Sequence, residues 1–120
     1  MVSTVVVMEQ DGAMRTLICE WLEAAGYRAS ATGPPSGSQV DLVVIDIPSL
    51  KHQGIQTVRE LRSRHPGASI IGMSTQLGES LPAESALAAK LGVVRLLAKP
   101  LAREELLAAT LDAIGPGSST

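Results

Sequence analysis

Short apolar runs alternate along this chain with longer stretches in which apolar residues recur every three or four positions. Such runs, rich in β-branched and aliphatic residues and bounded by polar ones, are typical of strands in a sheet covered on both faces. They predict five strands, at Thr4–Met8, Tyr27–Ala31, Val40–Ile45, Ser69–Met73 and Val93–Leu97.

The periodic stretches between these runs predict helices. They cover residues 13–25, Gly54–His65, Ala83–Leu91 and Arg103–Ile114. Asp11 is placed to cap the first helix, and Gly26 is placed to end it. Because strands and helices alternate, we expect an α/β fold with a doubly wound parallel sheet.

The connection between the second and third strands is short. Only thirteen residues separate Tyr27 from Asp41, which is room for a strand and at most one helical turn. We therefore expect the second helix of the fold to be truncated or missing, which leaves part of one sheet face thinly covered. Two outcomes stay open for this face: an apolar contact with a partner or a second copy, or larger neighbouring side chains that fill the gap.

Composition excludes several classes of function. The 120 residues are 45% hydrophobic with a formal net charge of −2, which gives no electrostatic footprint for nucleic acid or for an acidic membrane surface. No apolar run reaches transmembrane length, and the lone Cys19 suits a reducing compartment. We expect one cytoplasmic domain over residues 1–114 and a flexible tail at 115–120, without nucleic-acid or membrane partners.

Polar side chains follow four of the predicted strands, at Glu9, Asp46, Ser74 and Lys99. In open parallel sheets, ligands collect outside the carboxyl ends of the strands. A strand order of 2-1-3-4-5 would bring these four side chains together. Two acids, a hydroxyl and an ammonium suit an anionic acceptor that works with a divalent cation and a lysine.

Four motifs contain these residues. They are VVVMEQDGAMR at 5–15, DLVVID at 41–46, IIGMST at 70–75 and LLAKP at 96–100, and Gly54 lies eight residues after Asp46. In this order and spacing, the motifs resemble the receiver domain of bacterial two-component response regulators. The resemblance covers nearly the whole chain.

The resemblance implies a flavodoxin-like fold of order 2-1-3-4-5 and a role in phosphorelay signalling, not an enzyme. It implies that Asp46 accepts a phosphoryl group, and that Ser74 and Lys99 contact that group. Glu9, Asp46 and the backbone carbonyl of Pro48 would hold Mg²⁺. The resemblance also implies a cis peptide bond between Lys99 and Pro100.

The chain departs from the family pattern around this pocket. Gln10 stands where the main metal-binding aspartate of the family belongs, so Glu9 and Asp46 face Lys99 with a formal sum of −1. Mg²⁺ prefers anionic oxygens, so we expect weak or absent binding. Pro48 lies two residues after Asp46, and Leu96 replaces the aromatic residue that acts as a switch in the family.

Two functions from different classes follow. The first is a receiver that takes a phosphoryl group on Asp46 from a histidine kinase or phosphotransfer protein, with impaired Mg²⁺-dependent phosphorylation, and then changes its affinity for a downstream protein. The second is a pseudo-receiver that binds partners or dimerises without phosphorylation. The segment Val93–Ile114 corresponds to the usual contact face of the family and is a candidate for a homodimer contact.

Overall fold

The computed structural model describes residues 3–31, 39–77, 80–81 and 85–117. Strands and helices alternate along these residues as the sequence predicts. In chain order they are β1 (Thr4–Met8), α1 (Gly12–Ala24), β2 (Arg28–Ser30), β3 (Leu42–Asp46), α2 (His52–Arg64), β4 (Ser69–Ser74), α3 (Ala86–Leu91), β5 (Arg95–Ala98) and α4 (Arg103–Ile114).

The five strands form one parallel sheet with the order β2-β1-β3-β4-β5. This order confirms the predicted doubly wound, flavodoxin-like fold. Asp46 is paired with Met73 and Ser74 with Ala98, so both polar residues lie at the same carboxyl edge of the sheet. The peptide bond between Lys99 and Pro100 is cis, as the resemblance implies.

The boundaries of several elements differ from the predicted ones. β3 begins at Leu42 and includes Asp46, so the acid is the last strand residue and not the first loop residue. β5 begins at Arg95 instead of Val93, although the backbone N–H of Val94 already donates a hydrogen bond to the Ile70 carbonyl oxygen. The predicted helix at Ala83–Leu91 begins at Ala86 among the described residues, with Ser85 as its cap.

The two ends of α1 follow the predicted chemistry. The side chain of Asp11 accepts hydrogen bonds from the backbone N–H groups of Ala13 and Met14 at 3.0 and 3.2 Å. At the other end, Gly26 adopts a φ of 96°, a left-handed conformation that glycine takes without steric cost. Asp11 is therefore committed to capping, which keeps its carboxylate away from other tasks.

The sheet separates two apolar cores, and successive residues of β1 point alternately into one core and the other. Val5 and Val7 point to one face, where they pack with residues of α1 and α4. Val6 points to the other face, where it packs with residues of α2 and α3. Because the strands are covered on both sides, most of their residues are buried, which is the continuous apolar pattern seen in the sequence.

The connection from β2 to β3 contains no helix within its described residues, 31 and 39–41. This supports the prediction that the second helix is truncated or missing; the predicted loop at residues 32–38 lies outside the described residues. Met8, at the end of β1 on that face, keeps 37% of its surface exposed.

The segment after α4 contacts the turn between α1 and β2. The Tyr27 hydroxyl donates a hydrogen bond to the Gly115 carbonyl oxygen at 2.7 Å, and the Ser3 N–H reaches the Gly117 carbonyl oxygen at 3.4 Å. A Cβ on Gly117 would lie 2.6 Å from the backbone of Gly26, so only glycine allows this approach. Residues 118–120 lie outside the described residues, and a flexible tail stays a prediction.

Candidate functional site

Three charged side chains converge at the carboxyl edge of the sheet. The Nζ atom of Lys99 lies 2.5 Å from Oε1 of Glu9 and 3.2 Å from Oδ1 of Asp46. The Glu9 side chain is only 2% exposed, whereas those of Lys99 and Asp46 are 17% and 19% exposed. One ammonium therefore bridges a buried carboxylate and a partly accessible one. The sequence predicted this convergence from strand order.

The backbone around Glu9 is held by two further contacts. Nη1 of Arg15 donates a hydrogen bond to the Glu9 carbonyl oxygen at 2.8 Å, and the Asp11 N–H approaches Oε2 of Glu9 at 3.4 Å. A guanidinium and a backbone donor thus fix the turn between β1 and α1. This role of Arg15 was not predicted from the sequence; the signal was its position six residues after Glu9, on the first turns of α1.

The charges around Lys99 change its pKa. Partial burial alone would lower the pKa, because it penalises the charged form, but the hydrogen bonds and charges of Glu9 and Asp46 outweigh burial and raise it. Lys99 is therefore a stable cation over the whole physiological pH range. Its ammonium is available to neutralise negative charge next to Asp46.

Ser74 ends β4 and is fully buried. Its carbonyl oxygen accepts a hydrogen bond from the Lys99 N–H at 2.9 Å, and its Oγ accepts one from the Gln76 N–H at 3.0 Å. Ser74 thus lies beside Lys99 in the sheet, with its hydroxyl engaged by its own chain.

Among the described residues, two acids, Glu9 and Asp46, form ion pairs with Lys99 in this pocket. Gln10 is exposed at its rim, and Asp11 caps α1. Among the described residues, no cluster of three histidine, cysteine or acidic side chains could hold a metal ion. Glu9 and Asp46 match the number of carboxylates that Mg²⁺ commonly uses, but both are already paired with Lys99. The carboxylate oxygens of Glu9 and Asp46 are therefore of the ligand type that Mg²⁺ prefers, but the net negative charge of the pocket is low.

The loop after Asp46 packs tightly against the start of α2. The Ile47 N–H bonds to the Met73 carbonyl oxygen at 2.8 Å, and Pro48 is exposed at the wall of the pocket. A Cβ on Gly54 would lie 2.1 Å from the Ser49 carbonyl oxygen, so glycine is required for the helix to approach this loop. The loop that contains Pro48 is therefore fixed between β3 and α2, and the role of the Pro48 carbonyl as a metal ligand stays a prediction.

A cavity of about 850 Å³ adjoins the acidic pair and extends along α2. Its floor includes Met8 and Ile47. Its wall on α2 is one polar stripe, made of side chains at helical spacing that are all exposed: Gln53, Gln56, Thr57 and Glu60. The face left by the shortened connection thus has a polar wall beside the exposed Met8, and both outcomes expected for this face stay predictions.

Residues 5–111 match the family profile of the response regulator receiver domain. The chain belongs to this family. It is 31% identical to Regulatory protein VirG of Agrobacterium fabrum over 111 residues, which cover 87% of this chain and 43% of VirG. VirG of Rhizobium rhizogenes is also 31% identical and is covered to 45%. The chain thus spans less than half the length of these curated relatives.

Solved structures share the fold of this receiver domain. A response regulator from Thermotoga maritima aligns with a TM-score of 0.74 at 18% identity, covering 95% of this chain and 98% of that one. A response regulator from Burkholderia pseudomallei, solved with a phosphorylated aspartic acid, calcium ion and citrate, aligns with a TM-score of 0.65 at 22% identity, covering 89% and 65%.

Membership of the family carries general properties. Receiver domains are generally non-catalytic signalling domains that interact with histidine kinases or phosphotransfer proteins and bind Mg²⁺ at an acidic pocket. Within the described residues, no helix is long and apolar enough to cross a membrane.

Proposed function

We propose that Asp46 is the phosphoacceptor of this receiver domain, and that a histidine kinase or phosphotransfer protein supplies the phosphoryl group. The observation that carries the proposal is the position of Lys99 between Glu9 and Asp46. The Asp46 side chain stays partly accessible, and the Lys99 ammonium lies directly beside it. Such an arrangement stabilises negative charge that develops on a transferring group.

The transfer is a displacement at phosphorus. A carboxylate oxygen of Asp46 forms the new P–O bond while the P–N bond to the donor histidine breaks, and the bonding pair stays on the imidazole nitrogen. Lys99 neutralises charge on the phosphoryl oxygens, for which it exchanges one of its carboxylate contacts. Mg²⁺, when bound, supplies further neutralisation of those oxygens.

Ser74 is the proposed hydroxyl contact of the phosphoryl group. Ser74 is fully buried and its Oγ accepts a hydrogen bond from the Gln76 N–H, so a shift of Oγ toward a group on Asp46 would strain or break that bond. Phosphorylation would therefore be coupled to a movement of the chain that follows β4.

Metal binding is proposed to be weak. Glu9, Asp46 and the Pro48 carbonyl would be the ligands, and Gln10 adds no charge to them. Lys99 already compensates one of the two carboxylate charges, so a divalent cation meets a formal charge of −1 and must compete with an ammonium. Phosphorylation would then be slow at ordinary Mg²⁺ concentrations.

A pseudo-receiver that works without phosphorylation is the second candidate. It is favoured by the same ion pair, because Lys99 satisfies both carboxylates without any ligand. In that case Val93–Ile114 is the proposed contact face for a downstream protein or a second copy. This face includes the Arg95–Asp112 ion pair, with a distance of 3.5 Å.

Incubation with acetyl phosphate over a series of Mg²⁺ concentrations tests the first candidate. Intact-mass measurement should show one phosphoryl increment in the wild type and none in Asp46→Asn. Asp112→Asn removes an exposed acid far from the pocket and should keep the increment. Absence of the increment in the wild type at every Mg²⁺ concentration would reject phosphorylation and favour the pseudo-receiver.

A further inference from the structure

The cavity beside the acidic pair continues along α2, away from the residues that Lys99 bridges. Its volume of about 850 Å³ lies within the range of sites that hold small molecules, roughly 300–1,000 Å³. The polar stripe forms its wall from Gln53 to Glu60, a rise of about 10 Å along the helix axis. Gln53 adjoins Gly54, which packs on the loop after Asp46, whereas Glu60 lies about two turns further along the helix.

Opposite this polar wall, the lining of the cavity is apolar. It includes Met8, at the end of β1, and Ala31, directly after β2, and both residues are exposed. A ligand that covered these two side chains would remove apolar surface from water, with a gain that grows with the area covered. The cavity therefore suits a molecule with an apolar body and a polar edge that faces α2.

The hydrogen-bonding groups of the wall are mostly acceptors. The Thr57 hydroxyl already donates to the Gln53 carbonyl oxygen at 2.9 Å, so its oxygen can only accept a further hydrogen bond from a ligand. The Glu60 carboxylate also only accepts. The carboxamides of Gln53 and Gln56 can accept as well as donate. A ligand that faces this wall therefore needs several hydrogen-bond donors.

Glu60 carries a negative charge that no cation of the cavity compensates. Three carboxylates and one guanidinium line the cavity, those of Glu9, Asp46, Glu60 and Arg15. Lys99 pairs with Glu9 and Asp46, whereas none of the ion pairs between described residues involves Glu60. With Arg15 and Lys99 counted, a formal charge of −1 remains around the cavity. This charge favours a ligand with one positive charge.

We propose that this cavity is a binding site for a small primary amine with an apolar body. The ammonium group has three donors and no acceptor, which matches the Glu60 carboxylate and the Thr57 oxygen, and the apolar body covers Met8 and Ala31. A neutral molecule of the same shape leaves the charge of Glu60 uncompensated, and an anionic one is repelled by it. Binding requires no phosphoryl group on Asp46, so it is independent of the function proposed above.

Three probes of similar shape and different charge test the site: phenethylamine, phenethyl alcohol and phenylacetate. Titration of each probe into the isotope-labelled protein, followed by NMR at the backbone amides of Met8 and Thr57, gives its Kd. We expect a Kd on the order of 1 mM for the amine, as fits a molecule of this size, and a Kd about fivefold higher for the alcohol. Phenylacetate should not saturate. Added salt should weaken only the amine, because Glu60 is exposed and its charge is screened.

Two variants at exposed positions locate the binding site. Glu60→Gln removes only a charge, so it should weaken phenethylamine about fivefold and leave phenethyl alcohol unchanged. Met8→Ala removes apolar contact, so it should weaken the amine and the alcohol by similar factors. Glu104→Gln and Leu111→Ala, an exposed acid and an exposed apolar residue of α4, are the matched controls and should change neither affinity.

Equal affinity for the amine and the alcohol would overturn the proposal, and so would an affinity for the amine that Glu60→Gln leaves unchanged. Asp46→Asn tests whether the ammonium instead competes with Lys99 at the acidic pair. If Asp46→Asn weakens the amine and Glu60→Gln does not, the amine binds at the pair and the site along α2 is rejected. If Glu60→Gln weakens the amine and Asp46→Asn changes its affinity little, the site along α2 is supported.

Discussion

Replacement of Lys99 by methionine is the sharpest test of how the pocket is held together. Methionine keeps much of the apolar stem and removes the ammonium that bridges Glu9 and Asp46. It leaves the carboxylate of Glu9, only 2% exposed, without a cation. Removing one partner of a buried ion pair costs roughly 3–5 kcal/mol. Because Asp46 is 19% exposed and can be hydrated, we expect a value near the lower end, about 3 kcal/mol.

The pH dependence has a definite sign. The raised pKa of Lys99 means that its stabilising contribution is fully present below the ordinary lysine pKa of 10.5 and is lost as pH rises through the raised pKa. The difference in free energy of unfolding between wild type and Lys99→Met should therefore be largest below the ordinary lysine pKa and shrink as pH rises through the raised pKa of Lys99.

Urea unfolding followed by the fluorescence of Trp21, the only tryptophan, measures this difference. The double variant Glu9→Gln/Lys99→Met should regain part of the lost stability, because the buried charge is gone. Lys90→Met, at an exposed lysine of α3, is the control and should leave the midpoint nearly unchanged. A loss below about 1 kcal/mol at pH 7, or a loss that does not vary with pH, would refute the assignment of Lys99 as the compensating charge.

Two further predictions concern the metal and the loop. Gln10→Asp should tighten Mg²⁺ binding about tenfold or more in a calorimetric titration, because it adds an anionic oxygen to the pocket; equal affinity of both proteins would contradict the role given to Gln10. Gly54→Ala should cost about 2 kcal/mol in urea unfolding, because its Cβ meets the Ser49 carbonyl oxygen at 2.1 Å. Gly12→Ala, whose Cβ would have ordinary contacts, should cost far less, and an equal loss at both positions would argue against the close approach.

The fold could be predicted because its signals are local and repeated. The runs around Val5–Val7 and Leu42–Ile45 are apolar on both faces, which only a sheet buried on both sides requires. Once the strand order is given, the meeting of Glu9, Asp46 and Lys99 follows from geometry. Both ends of β1 were predicted correctly, and the ends of the other strands differ from the predicted ones by at most two residues, since pairing beyond the apolar run depends on neighbours that a sequence pattern does not contain.

The parts that escaped prediction depend on single tertiary contacts. The Ser80 hydroxyl accepts a hydrogen bond from the Ala98 N–H and donates one to Glu105, 18 and 25 positions away, although no sequence pattern surrounds Ser80. The polar stripe on α2 was visible in the sequence as Gln53, Gln56, Thr57 and Glu60. Two outcomes stayed open for the face beside the shortened connection, an apolar contact or filling by neighbouring side chains, because a sequence pattern does not show which helix borders that face.

The contact between Ser3 and Gly117 has a practical consequence for engineering. The two ends of the described domain meet within hydrogen-bond distance, at the amino edge of the sheet, and the length of β1 places them about 17 Å from the acidic pair. A linker of a few residues could join them, so the chain order can be permuted without crossing the pocket. Fluorescent proteins or surface anchors attached at either end would leave the Asp46 carboxylate accessible.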